Sequence, residues 1–348
     1  MRVLVLEDYG RMAIADRPTP VAARDEVLIA LEFVGICGTD LHGYTGANGR
    51  RERGQVMGHE AAGRIVAVGE GGPVHLSIGM PVTFNPLLSC GHCTECIEGN
   101  EQRCAQRRVI GVDPRIVSAF AEYISVPASN VHPFPDNLPL SLAALVEPIA
   151  VALHAVRRLG SIDSVHILVL GGGPIGQSVV FAARARGAGA VIVSEIDPAR
   201  RELCASLGAT TIDPSVGTVA GQVAATWGRL ADRAIDAVGI GPTYRDALAA
   251  TRPGASIAVI GMGAPNFDFE PYPMITAERT MIGTYCYSNR DFGDAVELVT
   301  AAPDLAARMV SKEIPFDDAP EAFARLAAQE DVAGKVLIRC SENADGSL

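Results

Sequence analysis

One stretch limits the choice of fold more than any other. Val165-His166-Ile167-Leu168-Val169-Leu170 is a short apolar run rich in β-branched residues, and it leads directly into Gly171-Gly172-Gly173-Pro174-Ile175-Gly176. A helical pattern over 177–186 follows. G-x-G-x-x-G set between a strand and a helix is the context in which this motif binds a dinucleotide. Gly171 allows the tight turn, Gly173 lets a pyrophosphate approach the backbone, and Gly176 permits close helix–strand contact. Free N–H groups and the dipole at the start of the helix then favour the phosphates. The next strand, Ala190–Ser194, ends at Glu195, nineteen residues past Gly176. That is about where an acidic side chain meets the ribose hydroxyls, and it favours NAD over NADP, whose 2′-phosphate it would repel. Arg200 and Arg201 follow closely and keep NADP open, although both also read as a solvated helix start.

Downstream the alternation continues, with helices expected at 198–207, 219–228 and 243–250 and strands at Thr210–Ile212, 234–238, 255–260 and Thr280–Gly283. Alternating strands and helices make a doubly wound parallel sheet. The stretches 237–241 and 260–263 are small enough to let a nicotinamide lie close to the backbone.

The first part of the chain reads differently. Strands are expected at 2–7, 26–33, 61–68, Pro81–Phe84 and 121–126, and no helical period is evident before about residue 141. This predicts a mainly β, barrel-like domain. From Tyr285 the chain is expected to return to that domain, with helices at 290–302 and 320–328, a last strand Lys335–Arg339 and a loose polar tail at 341–348. The expected division is therefore a split domain, 1–148 with 286–348, around a cofactor domain, 149–285. A helix at 141–159, capped by Ser141, carries Pro148 inside it and predicts a break just after Glu147. Glu147 is flanked by Leu145, Val146 and Ile149, so it is either buried with a partner or exposed by the kink.

Within the β-rich part, two groups of residues carry chemistry. Cys37-Gly38-Thr39-Asp40-Leu41-His42 and Gly58-His59-Glu60 supply a thiolate, an imidazole and a carboxylate that can hold a metal, with a hydroxyl, a second imidazole and a further carboxylate to move protons or orient ligands. They read as a catalytic zinc site. Cys90, Cys93, Cys96 and Cys104 follow C-x2-C-x2-C-x7-C in a lobe of about 88–106, the pattern of a closed structural zinc site. His92 is a less favoured ligand there and fits a solvent-facing loop residue better. A redox C-x-x-C is a weaker reading of a series of four, and clustering of half of the eight cysteines argues for metal, not disulfides.

Composition narrows the partners. A net charge of −11 argues against nucleic acid, including the zinc-ribbon use of a cysteine cluster. No apolar run approaches the roughly 20 residues of a membrane span, and the acidic start of the chain does not suit a secretory signal. A cytoplasmic protein acting on a small molecule is the expectation.

Together these stretches resemble the zinc-dependent medium-chain alcohol dehydrogenase family, and in particular its polyol, or sorbitol-type, branch. The resemblance rests on Gly35–His42, Gly58–Glu60, the Cys90–Cys104 cluster, Glu147-Pro148-Ile149-Ala150-Val151-Ala152-Leu153-His154 and the Gly171–Gly176 loop. It implies a GroES-like catalytic domain beside a Rossmann domain, two zinc ions per chain and NAD(P) as hydride acceptor. It makes Cys37 and His59 catalytic-zinc ligands and leaves Glu60 and Glu147 as candidates for the third, Glu147 standing where the simple-alcohol branch has a cysteine. It also implies that Thr39 hydrogen-bonds the reacting oxygen, that His42 carries the proton outward through the cofactor's ribose, and that Asp40 holds the unbound nitrogen of His59. Polyols or sugar-derived alcohols are the implied substrates, with vicinal diols and threonine-type amino alcohols as alternatives. A zinc-free quinone or enoyl reductase is disfavoured by the intact ligand set, as is a non-enzymatic binding protein. Tyr44, Phe84, Phe120 and Tyr285 are candidate pocket walls, though core positions suit them better. The family implies a homo-oligomer, a tetramer or dimer, with the edge around 255–285 as a joining surface.

Overall fold

The computed structural model describes residues 1–47, 49–328 and 332–341. The chain divides into two compact units, Met1–Glu147 with Tyr287–Leu348, and Pro148–Cys286. Most of the tail expected to be loose, 342–348, lies outside the described residues.

The first unit is built on a seven-stranded sheet. Its order is Val310–Pro315, Lys335–Arg339, Glu26–Gly35, Glu60–Val68, Pro81–Phe84 and Val131–Pro133, with Tyr123–Pro127 also paired to Glu26–Gly35. All pairs are antiparallel except the first, which is parallel. Val27, Ile29, Leu31 and Phe33 are buried at every second position of the central strand, as a period of two requires. Val27, Ile29 and Leu31 join Leu4, Ile65, Phe84, Phe120 and Phe323 in one core. Tyr44, Phe84 and Phe120 are core residues, whereas Tyr285 is 37% exposed. The sequence pattern gave no sign of strands Arg11–Asp16 and Val310–Pro315, which are short and carry charges on an exposed face.

Two short helices interrupt this β-rich part, contrary to the expectation from periodicity: Gly38–Tyr44 and Thr94–Ile97. With seven and four residues, neither is long enough to show a repeating apolar stripe.

The expected helix at 141–159 is also revised. Leu140–Leu145 is a 3₁₀ turn, and the α-helix is Val146–Arg158. Ser141 is therefore inside the turn and does not cap the helix. Pro148 falls in the first α-helical turn, where a missing N–H costs nothing, so the change of winding precedes it and no kink follows. Continuous helical winding over Leu140–Arg158, 19 residues, is long and apolar enough to cross a membrane by composition, but 83% of its most apolar window is buried inside the protein, as in a core helix.

The second unit is an all-parallel six-stranded sheet in the order Thr210–Ile212, Ala190–Ser194, His166–Leu170, Ala231–Asp236, Thr251–Val259, Thr280–Gly283. The order reverses direction beside His166–Leu170, whose carboxyl end is the usual place for a ligand in such a sheet. The fold class is thus α/β, with a GroES-like mainly β unit and a Rossmann-like parallel-sheet unit.

Candidate active site

In the first unit, Cys37 closes the loop after strand Glu26–Gly35 and stands immediately before helix Gly38–Tyr44. Asp40 Oδ2 accepts the Cys37 backbone N–H at 3.2 Å, which ties the helix start to the cysteine. Thr39 and His42, three residues apart, lie half-buried on one side of this helix, whereas Asp40 is wholly buried.

His59 follows Gly58, whose φ of +93° and close approach to Phe120 exclude a side chain. Glu60 opens the next strand and pairs with Gly35. A Cβ at Gly35 would collide with the Glu60 carboxylate and press on the Lys335 stem at 3.3 Å. Gly35 is therefore the space in which these two side chains meet. Lys335 Nζ donates to Glu60 at 2.7 Å, and the side chains are 3% and 0% exposed.

The Cys37 sulfur, a His59 ring nitrogen and a Glu60 oxygen all lie within 4.8 Å of one another. Asp40 Oδ1 lies 3.7 Å from His59 Nδ1 and 3.7 Å from Arg51 Nη2, and none of these three atoms has a hydrogen-bond partner. Asp40 thus faces the Nδ1 side of His59, leaving Nε2 as the nitrogen that could serve as a ligand. Glu147 stands outside the close group of three; its Oε1 accepts the Tyr287 hydroxyl at 2.8 Å.

The electrostatics of this pocket call for a cation. Three carboxyls, of Asp40, Glu60 and Glu147, stand with the Cys37 sulfur around two fixed cations, Lys335 and Arg51, so a further positive charge would be favoured there. Burial opposes the His59 imidazolium, but Asp40, Cys37 and Glu147 outweigh it and push His59 up to about 10. Burial, reinforced by Glu60 and only partly offset by His59, raises Glu147 to about 7. A histidine that retains its proton in this way must lose it before it can bind a metal. The donor set fits zinc.

The four-cysteine lobe fits zinc more closely still. All four sulfurs lie within 4.8 Å of one another, with Cys93–Cys96 at 3.5 Å and Cys90–Cys96 at 3.9 Å. Tetrahedral coordination at a Zn–S length of about 2.3 Å requires sulfurs about 3.8 Å apart. Backbone N–H groups of His92 and Cys93 pull the Cys90 thiol down to about 6. The Cys96 N–H lowers Cys93, but its neighbours' sulfurs and burial more than reverse this, to about 11. The exposed His92 turns its Nδ1 to the Cys90 carbonyl, 2.7 Å away, and is not in the group.

In the second unit, Gly171 has φ +92°, and a Cβ on Gly176 would strike the Gly171 carbonyl oxygen. A Cβ on Gly173 would meet only Arg200 Nη1, at 3.9 Å, so the loop presents open backbone beside a guanidinium. Pro174 is the first residue of helix Pro174–Ala185, capped by Gly173, and Ile175 follows it in the first turn. Glu195 is buried, with Oε2 accepting Gly172 N–H at 2.6 Å and Oε1 accepting Asp197 N–H at 2.9 Å. Each oxygen keeps a lone pair for a ribose hydroxyl, so the loop fits a dinucleotide. The small residues at 237–241 and 260–263 also serve one another, since a Cβ on Gly239 would meet the Gly261 backbone.

Residues 23–136 match the model of the alcohol dehydrogenase GroES-like domain, and residues 174–301 that of the zinc-binding dehydrogenases. The chain belongs to the zinc-dependent alcohol dehydrogenase family. It is 33% identical to L-galactonate-5-dehydrogenase of Escherichia coli K12, covering 93% of this chain and 95% of that protein. It is 31% identical to sorbitol dehydrogenase of Bacillus subtilis 168, covering 97% of each. A protein of Sinorhizobium meliloti 1021 described as a zinc-binding dehydrogenase, and solved bound to NADP, superposes with a TM-score of 0.86 at 29% identity, covering 97% of this chain and 98% of that one. The chain is accordingly an oxidoreductase acting on CH–OH, of the polyol dehydrogenase branch.

Three neighbours of the site went unread in the sequence. Lys335 looked like the start of an apolar strand, and its partner Glu60 is 275 residues away. Arg51 lies among charged residues of a polar loop yet is 2% exposed. Tyr287 follows the candidate wall Tyr285 by two residues; the Ser288 and Asp291 pair of a capping box was the available signal that this segment is fixed.

Proposed function

We propose that the unit Met1–Glu147 with Tyr287–Leu348 is the catalytic domain, and Pro148–Cys286 the cofactor domain, of an NAD-dependent dehydrogenase for secondary alcohols of the polyol or sugar-derived class. The observation that carries this reading is the close group of half-buried Cys37 with buried His59 and Glu60, in a chain that also holds a dinucleotide loop. Likeness to a sorbitol and a galactonate dehydrogenase supports the substrate class.

In this reading Cys37, His59 and Glu60 hold the catalytic zinc, with Glu147 as an outer carboxylate, and Cys90, Cys93, Cys96 and Cys104 hold the structural one. Zinc supplies Lewis acidity, which makes a hydroxyl acidic near neutral pH, and the nicotinamide supplies the hydride acceptor. Thr39 hydrogen-bonds the reacting hydroxyl and takes its proton, and His42, on the same side of the helix, passes it outward. Asp40 keeps His59 in the tautomer that presents Nε2, with Arg51 balancing its charge. Lys335 holds Glu60 in place. Gly171, Gly173, Pro174, Ile175 and Gly176 cradle the pyrophosphate beside Arg200. Glu195 accepts the ribose hydroxyls, and its two backbone hydrogen bonds prevent it from turning aside for a 2′-phosphate, which favours NAD over NADP. Exposed Phe269, Tyr272 and Ile275, close in sequence to the edge strand Thr280–Gly283, support a homo-oligomer, a tetramer or dimer. That no disulfide joins the cysteines among the described residues supports a cytoplasmic enzyme.

The test is NADH formation over a panel of polyols, sugar acids, vicinal diols and amino alcohols, with metal analysis of the same protein. About two zinc per chain are expected, one closed and one open site, with the highest kcat/KM among the polyhydroxylated substrates. A zinc-free protein, or one that prefers threonine-type amino alcohols, would overturn the assignment.

A further inference from the structure

Besides Asp40, two carboxylates stand near His59, and their partners differ in kind. Glu60 is paired with a cation, Lys335, and belongs to the close group with Cys37 and His59. Glu147 is near enough for its charge to act on both His59 and Glu60, yet it stays outside that group and receives a hydrogen bond from a neutral phenol, Tyr287. Nothing in the sequence motifs assigns Tyr287 a part.

The phenol is held from several sides. Tyr287 is 1% exposed, and its ring lies 5.6 Å from that of Phe292, which in turn packs against His132 at 4.9 Å. The next residue caps helix Asn289–Ala301: Ser288 Oγ accepts the Asp291 N–H at 3.1 Å, and Asp291 Oδ2 accepts both the Ser288 N–H, at 3.0 Å, and its hydroxyl, at 2.8 Å. Asn289 Oδ1 accepts Asn85 Nδ2 at 3.2 Å and meets His132 Nε2 at 3.1 Å. A tyrosine has two χ angles, so a packed ring and a clamped backbone leave its hydroxyl one position. Glu147 has three and would be the mobile partner of the pair.

We propose that Tyr287 is a positioning residue that holds Glu147 off the metal and so keeps a coordination position open for the alcohol. The proposal rests on the reading that Cys37, His59 and Glu60 hold zinc. A catalytic zinc site needs three protein ligands and one position for substrate or water. A second carboxylate within reach competes with a neutral alcohol for that position, because an anion binds the dication more strongly. A buried carboxylate deprived of its donor turns to a remaining positive charge; Lys335, which also acts on Glu147, is already engaged by Glu60, which would leave the metal. The Tyr287 hydrogen bond removes that tendency at a lone pair of Oε1 without adding charge to the pocket.

The experiment compares full-length wild type, Tyr287→Phe, Glu147→Gln and the double variant, each loaded with zinc and, separately, with Co(II) at the catalytic site. In Tyr287→Phe the visible Co(II) bands should shift, reporting a changed ligand set. The KM for the alcohol should rise on the order of tenfold, the worth of one hydrogen bond to a charged group, and removal of zinc by a chelator should slow. In the Glu147→Gln background the Tyr287→Phe change should move none of these, because the competing carboxylate is gone. Equal effects of Tyr287→Phe in both backgrounds would overturn the proposal, as would a folded Tyr287→Phe protein with an unchanged Co(II) spectrum and KM. Should Tyr287→Phe fail to fold, Glu147→Asp breaks the same bond from the other side, and an unchanged Co(II) spectrum in it counts equally against the proposal. Failure of the underlying zinc reading is separable: Cys37→Ser would then keep its catalytic metal whatever Tyr287 does.

Discussion

Replacing Lys335 with Met is the most informative perturbation of the site. Met keeps the length and apolar character of the lysine stem, which lies in the space left by Gly35, and removes only the ammonium. Glu60 is then a carboxylate with no exposed surface and no cation at 2.7 Å. Taking one partner from a buried ion pair costs about 3–5 kcal/mol, because the remaining charge keeps its desolvation penalty and loses its compensation. In the zinc-free protein the sheet joining Glu26–Gly35, Glu60–Val68 and Lys335–Arg339 should lose about that much stability. With zinc loaded, the dication beside Glu60 takes over part of the compensation, so the loss should be smaller. By linkage, zinc must then bind the variant more tightly than wild type, by tenfold for each 1.4 kcal/mol of the difference. Hydrogen exchange of the amides in those strands, with and without zinc, measures the sheet separately from the second unit. Equal losses in both states, or a loss under about 1 kcal/mol without zinc, would refute the claim that Lys335 carries the charge balance of Glu60.

Zinc binding should release protons in a defined pH range. His59 is raised to about 10 in the metal-free site. A histidine raised above its unfolded value of about 6.5 stabilises the fold fully below that pH and loses its contribution as pH rises through about 10. Since zinc takes only the neutral imidazole, loading the catalytic site at pH 8 should expel a proton from His59, measurable by calorimetry in buffers of different ionisation enthalpy. Release that does not change between pH 8 and pH 10.5 would contradict this. Gly176→Ala should weaken NADH binding by about tenfold or more, through the collision with the Gly171 carbonyl, and leave both zinc ions in place; fluorescence titration and metal analysis check the two halves.

The candidate metal and cofactor residues were legible because their chemistry is encoded locally. C-x2-C-x2-C-x7-C folds on itself within fifteen residues, and the glycine loop needs only the strand before it and the helix after it. Glu195 was found by its distance along one βαβ unit. The partners of the site were not legible, because they arrive from distant strands and a lone Lys, Arg or Tyr carries no pattern. Lys335 reaches Glu60 only because antiparallel register sets Leu337 opposite Gly35 and Gly35 opposite Glu60. Helix Gly38–Tyr44, which carries Thr39, Asp40 and His42, is too short to have a period, and tertiary packing around Asp40 is what defines it.

Sequence alone thus determined the fold class and the class of reaction and pointed to two candidate donor sets, through motifs whose residues lie near one another in the chain. What distinguishes Glu60 from Glu147 is visible only in three dimensions. In sequence both are acidic residues next to apolar ones; in the folded protein one faces an ammonium and the other a phenol. A buried carboxylate takes its character from its partner, and both partners come from the far end of the chain.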